Sequence, residues 1–129
     1  EFITISSTGN AIDFGDLSYE VGFFSGCSNA TRGMFAGGYT PTRVNTIEFI
    51  TIATIGNTQD FGDLTVARGE TGAAASSTRG VWAGGSAPPN IQDVIDYVEI
   101  LTTGNAVDFG NLLAATGGLS GCSNGHGGL

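Results

Sequence analysis

The sequence predicts an all-β fold built from repeats of four short strands. Three observations carry that expectation: a motif that recurs at a fixed spacing, runs of β-branched and aromatic residues bounded by turn signals, and no 3.6-residue apolar period in 129 residues. Thr8-Gly9-Asn10-Ala11-Ile12-Asp13-Phe14-Gly15-Asp16-Leu17 returns as Ile55-Gly56-Asn57-Thr58-Gln59-Asp60-Phe61-Gly62-Asp63-Leu64. It returns again as Thr103-Gly104-Asn105-Ala106-Val107-Asp108-Phe109-Gly110-Asn111-Leu112, at spacings of 47 and then 48 residues. A period of that size marks one supersecondary unit, which buries its apolar surface against its neighbours.

The middle copy shows each element. Thr46–Ile52 is β-branched and aromatic, as a strand should be. Gly56-Asn57 supplies turn chemistry, since both residues tolerate positive φ. A second short strand is expected over Thr58–Leu64, irregular or bulged because of Asp60 and Gly62. Gly69–Ser76 is small and apolar, the composition of a strand pressed on both faces. Arg79–Ala83 is a short apolar strand that stops at Gly84-Gly85. Ser86–Asn90, with Pro88 and Pro89, reads as a surface loop leading to the next unit.

Four strands per 47 residues suit the blade of a β-propeller, an architecture that leaves only short, protected sheet edges. A β-solenoid is the alternative, but its coils are shorter and more regular. The expected organisation is a single repeat domain over 1–129: repeat 1 over 1–47, repeat 2 over 48–95 and an incomplete repeat 3 over 96–129. A propeller needs about four to eight blades to close. With about 2.7 here, the chain is expected to be a processed or excised segment of a larger propeller, with a ring of several copies as the alternative.

Phe35-Ala36-Gly37-Gly38-Tyr39 and Trp82-Ala83-Gly84-Gly85 resemble the apolar stretch and double glycine of kelch repeats. The pairs Glu1-Phe2, Glu48-Phe49 and Asp96-Tyr97 match the strand that follows, and Arg68 matches the opening of the next blade. The resemblance spans essentially the whole chain. It departs from kelch in lacking a tryptophan after the third strand, a place that Phe14, Phe61 and Phe109 fill. Kelch-like is therefore the fitting description. The fuller repeat, Ile50–Arg68 continued by Ser77-Thr78-Arg79-Gly80-Val81, is similar to repeats in structural proteins of tailed bacteriophages, especially those of marine bacteria and cyanobacteria. That resemblance implies a non-enzymatic virion appendage or fibre component. Its partners would be further blades of the same protein or other copies of it, other virion proteins, and host-surface glycans. A secreted or cell-surface carbohydrate- or protein-binding module is the alternative.

Charge narrows the partners. Four Arg, no Lys and twelve acidic residues give a net charge of −8, which repels phosphate backbones and argues against nucleic acid. No apolar run reaches the roughly 18 residues of a membrane span.

Several motifs tempt a chemical reading. Asp-Phe-Gly at Asp13, Asp60 and Asp108 holds magnesium in kinases, but no phosphate loop, lysine or catalytic loop accompanies it. Three copies point instead to a core Phe and a turn Gly. Asp13 with Asp16, and Asp60 with Asp63, offer oxygen ligands of the kind Ca²⁺ takes, without EF-hand spacing. Such Asp residues equally cap turns. Thr31-Arg32-Gly33 and Thr78-Arg79-Gly80 place an Arg expected to pair with an Asp of the neighbouring strand. Cys27 and Cys122 occupy one repeat position, held by Ala74 in the middle copy. A small, buried strand site is expected there, too far from its counterpart for a disulfide. Asn29-Ala30-Thr31 is a glycosylation sequon by pattern alone. His126 is the single histidine, so no His-based metal site or triad is expected. The sequence thus assigns no catalytic or metal-binding residue and no cofactor. Contacts are expected at the variable loops Tyr39–Asn45 and Ser86–Gln92.

Overall fold

Strand pairing follows the repeat. A computed structural model of the chain, which describes residues 1–123, contains two four-stranded antiparallel sheets. In the first, β1 (Ser25–Ser28), β2 (Arg32–Ala36), β5 (Thr46–Thr51) and β6 (Gln59–Asp63) lie in the order β1-β2-β5-β6. In the second, β7 (Gly72–Ala75), β8 (Arg79–Ala83), β11 (Val94–Glu99) and β12 (Val107–Asn111) lie in the order β7-β8-β11-β12. Each sheet is a simple meander. The boundaries 47/48 and 95/96 fall inside the third strands, β5 and β11. His126 lies outside the described residues.

The predicted loops are more ordered than expected. Each carries a two-stranded hairpin: β3 (Tyr39–Thr40) with β4 (Thr42–Arg43), and β9 (Ser86–Ala87) with β10 (Asn90–Ile91). Backbone pairing between loop strands explains the change, since it satisfies groups that a bare loop would leave to water. The strand expected over Gly69–Ser76 is shorter and runs Gly72–Ala75. Residues 69–71 instead connect to neighbouring elements, with Gly69 bridging Ser86.

The fourth strands are bulged, as Asp60 and Gly62 suggested. Ile47 faces Gly62 and Glu48 faces Asp60, leaving Phe61 as the extra residue. Ile95 faces Gly110 and Asp96 faces Asp108, so Phe109 is the extra residue of the second sheet. Each bulge places its ring edge-to-face on the aromatic of the third strand: Phe49–Phe61 and Tyr97–Phe109, both at 5.9 Å between centroids. Phe2–Phe14 repeats that pair at 5.9 Å in residues 1–17, where a single antiparallel bridge joins Phe2 to Ile12. Phe14, Phe61 and Phe109 thus supply the large ring that follows the third strand.

The two sheets meet face to face. Met34, Ile47, Phe49 and Phe61 of the first sheet, with Leu64, are buried in one cluster with Ala73, Trp82, Val98 and Ile100. The first strands β1 and β7 lie side by side, joined where the Ser25 and Thr71 hydroxyls hydrogen bond. Among the described residues the sheets form no closed barrel or ring.

Candidate functional site: the inter-sheet seam and the hairpin rim

The polar groups of the seam are arranged as repeated ties. The Glu48 carboxylate accepts from the Ser18 backbone N–H at 3.2 Å and from the Thr58 hydroxyl at 3.0 Å. One repeat later, Asp96 accepts from the Thr65 N–H at 3.0 Å and its hydroxyl at 2.7 Å. Glu48 and Asp96 therefore hold the chain entering from the preceding unit, while Phe49 beside Glu48 sits in the core. Asp96 also meets Arg68 at 3.1 Å, with both side chains fully buried. Arg68 donates to the Trp82 carbonyl at 3.1 Å, while its Nε and Nη1 make no hydrogen bond among the described residues. Burial pushes the Arg68 guanidinium below its ordinary pKa, and the Asp96 charge opposes that shift.

A second tie explains Gly-Asn and Asp-Phe-Gly together. Gly56 N donates to Phe14 O (2.8 Å), Asp16 N donates to Asn57 Oδ1 (3.0 Å) and Thr58 N donates to Asp16 O (2.9 Å). The same clip recurs between sheets: Gly104 N to Phe61 O (2.8 Å), Asp63 N to Asn105 Oδ1 (3.1 Å) and Ala106 N to Asp63 O (2.7 Å). The glycine of the first two Asp-Phe-Gly copies is required by proximity. A Cβ on Gly15 or Gly62 would stand 2.3 or 2.4 Å from the carbonyl oxygen of the opposing Gly56 or Gly104. The double glycines meet the same demand: Gly38 N donates to Arg68 O at 2.9 Å and Gly85 N donates to Thr116 O at 2.8 Å.

The arginine expectation needs correction. Arg32 does not pair with an Asp; it donates to the Ile100 carbonyl of the second sheet at 2.7 Å and stacks 4.4 Å from the Phe49 centroid. Arg79 pairs with Glu99 at 2.6 Å and lies 4.7 Å from the Tyr97 centroid. Residue type decides the difference: the register is the same in both sheets, and the facing position holds Thr51 opposite Arg32 but Glu99 opposite Arg79. The Glu99 hydrogen bond holds the Arg79 guanidinium above its ordinary pKa.

The remaining candidates resolve into structural roles. Cys27 and Cys122 are both free thiols. Cys27 is half-buried, but Cys122 is exposed, contrary to the buried site expected at both. Burial between the sheets pushes the Cys27 thiol up to about 12 from 9.0. Asn29 of the sequon organises its turn: Oδ1 accepts from Thr31 N at 2.9 Å and Arg32 N at 2.8 Å, and Nδ2 donates to Ser77 O at 2.9 Å. Among the described residues no group of three or more His, Cys, Asp or Glu could hold a metal ion. Nor is any helix there long and apolar enough to cross a membrane.

The hairpins put variable side chains on the surface. On the first, Arg43 bonds Glu70 at 2.8 Å and lies 5.5 Å from the ring of exposed Tyr39 and 5.9 Å from that of exposed Phe23. Glu70 opens the second unit, so this cluster bridges the two units. At the equivalent hairpin of the second unit, exposed Ile91 and the two prolines replace that aromatic and basic set. Sequence reasoning named these segments by their variability but missed Phe23 and Glu70, whose approach depends on the register of distant strands. No protein-family model matches the chain, and no curated protein matches its sequence.

Proposed function

We propose that this chain is a non-enzymatic scaffold: blades of a kelch-like β-propeller in a tailed-phage appendage, presenting its hairpins to a host-surface glycan. The observation that carries the reading is the repeated seam. Two four-stranded meanders pack face to face, their first strands adjacent and their clips identical. That is the packing a radial array of blades requires. A binding role falls to the hairpins, which stand outside the seam and differ between the two units. Exposed Tyr39 and Phe23 beside an Arg–Glu pair offer an apolar face and hydrogen-bonding groups, the chemistry that suits a sugar ring. A net charge of −8 disfavours phosphate-bearing partners.

Immunogold electron microscopy of the source particles, with glycan-array binding by the purified chain, tests the proposal. Label on a tail appendage is expected, together with glycan binding that Tyr39→Ala weakens at least tenfold. Label without glycan binding overturns the attachment role and leaves the scaffold. No label on any particle overturns the virion assignment and favours a secreted or cell-surface module.

A further inference from the structure

Two apolar faces at opposite ends of the array carry the residues of the buried seam with nothing over them among the described residues. At the seam, Val98 and Ile100 are 3% and 0% exposed. Two repeat periods earlier, the same positions are Ile3 and Ile5, which are 60% and 93% exposed. On the opposing side, Phe61 is 3% exposed, whereas Phe109 one period later is 58% exposed. Gly110 shows the same vacancy: a Cβ there meets nothing within 4 Å, although at Gly15 and Gly62 it would strike backbone.

A cavity of about 380 Å³ marks a second incomplete place. Phe2, Phe14, Phe24, Phe35, Ile50 and Ile52 line it, between residues 1–17 and the first sheet. At the seam the corresponding space holds Cys27 and Met34, from the first two strands of a unit. Residues 1–17 supply counterparts of the third and fourth strands only, bridged at Phe2 and Ile12. The segment Gly117–Ser123 is the counterpart of the first strand. It packs on the second sheet, with Leu119 against Gly72 and Gly121 against Ala73. These are complementary parts of one unit.

We infer that a second copy of this chain docks head-to-tail, placing its residues 1–17 on the β11–β12 face beside Gly117–Ser123. The seam supplies the register. Gly9 and Ala11 of the incoming copy donate to the Phe109 and Asn111 carbonyls, and Asn10 Oδ1 accepts from Asn111 N. Ile3 and Ile5 cover Tyr97 and Phe109, as Val98 and Ile100 cover Phe49 and Phe61. Cys122 enters the apolar cavity of the incoming copy, as Cys27 enters the seam. The contact is heterologous, so each copy keeps one face of each kind. Each copy gives two whole sheets and the parts of a third, so two docked copies supply six units, a number within the range at which propellers close. This docking deepens the propeller reading but rests on the seam's register, so it stands independently of any virion role.

Sedimentation velocity of the 129-residue chain, which has a mass of 13.1 kDa, tests the inference. Association to twice that mass is expected at micromolar concentration. Ile5→Asp and Phe109→Asp each alter an exposed side chain, and unchanged emission from buried Trp82 reports that the fold is kept. Each variant alone should weaken association at least tenfold. Mixing the two should restore it in part, because Ile5→Asp retains an intact β11–β12 face and Phe109→Asp an intact residue 1–17 face. Alkylation of Cys122 should slow as association proceeds. A monomer at every concentration, association that both variants leave intact, or variants whose mixture stays monomeric would overturn the inference.

Discussion

Arg68 and Asp96 form the most consequential pair of side chains, since both are fully buried and their carboxylate also holds Thr65. Removing one partner of a buried ion pair leaves an uncompensated charge and costs about 3–5 kcal/mol. Asp96→Ala should therefore lower the urea midpoint sharply, and Arg68→Met in the same chain should recover part of the loss. Gly62 makes a second residue-scale prediction. Its φ of 147° and the clash that an added Cβ would make with the Gly104 carbonyl oxygen give Gly62→Ala an expected cost of roughly 2 kcal/mol or more. Gly56→Ala, where a Cβ meets nothing within 4 Å, should stay within about 1 kcal/mol of the parent. Cys27 adds a pH dependence. Its folded pKa of about 12 lies above the ordinary 9.0, so the folded state keeps the proton longer. The stability this provides is present below pH 9.0 and is lost as pH rises toward 12, a loss that Cys27→Ala should lack in thermal melts. Much at this scale was legible. Repetition of Asp-Phe-Gly pointed to a core Phe, which holds for Phe61 but not for exposed Phe109. The glycine's reason was not legible, because the obstructing carbonyl comes from another unit. Arginine partners were misread because the facing position in the same register holds Thr51 in one sheet and Glu99 in the other, and neither is an Asp.

At the scale of elements, four strands per repeat and a bulged fourth strand could be read from β-branched runs and the misfit of Asp60 and Gly62, whereas the turn expected at Gly56-Asn57 lies at residues 52–54. The small hairpins could not. Tyr39–Arg43 and Ser86–Ile91 look like loops because each paired strand is only two residues long, too short for an alternation pattern. Trp82 reports directly on the seam. It is fully buried and its Nε1 donates to the Ser25 carbonyl of the first sheet at 3.3 Å. As the single tryptophan, its emission should be blue-shifted in the folded chain. Trp82→Ala should cost about 3–5 kcal/mol in denaturant titrations. A red-shifted emission in the native chain would mean that the sheets do not pack as described.

For the whole molecule, the sequence period foretold units that stack, and the seam shows the bonds that stack them. Partners for the outer faces were beyond sequence reading, since exposure of Ile5 and Phe109 emerges only once the equivalent buried pair is known. The proposed propeller requires identical seams to propagate radially rather than along a line. Small-angle X-ray scattering of the associated chain measures this. Radial closure of two copies predicts a compact particle with a radius of gyration of about 18 Å that does not grow with concentration. A longer, rod-like particle whose radius increases with concentration would contradict it.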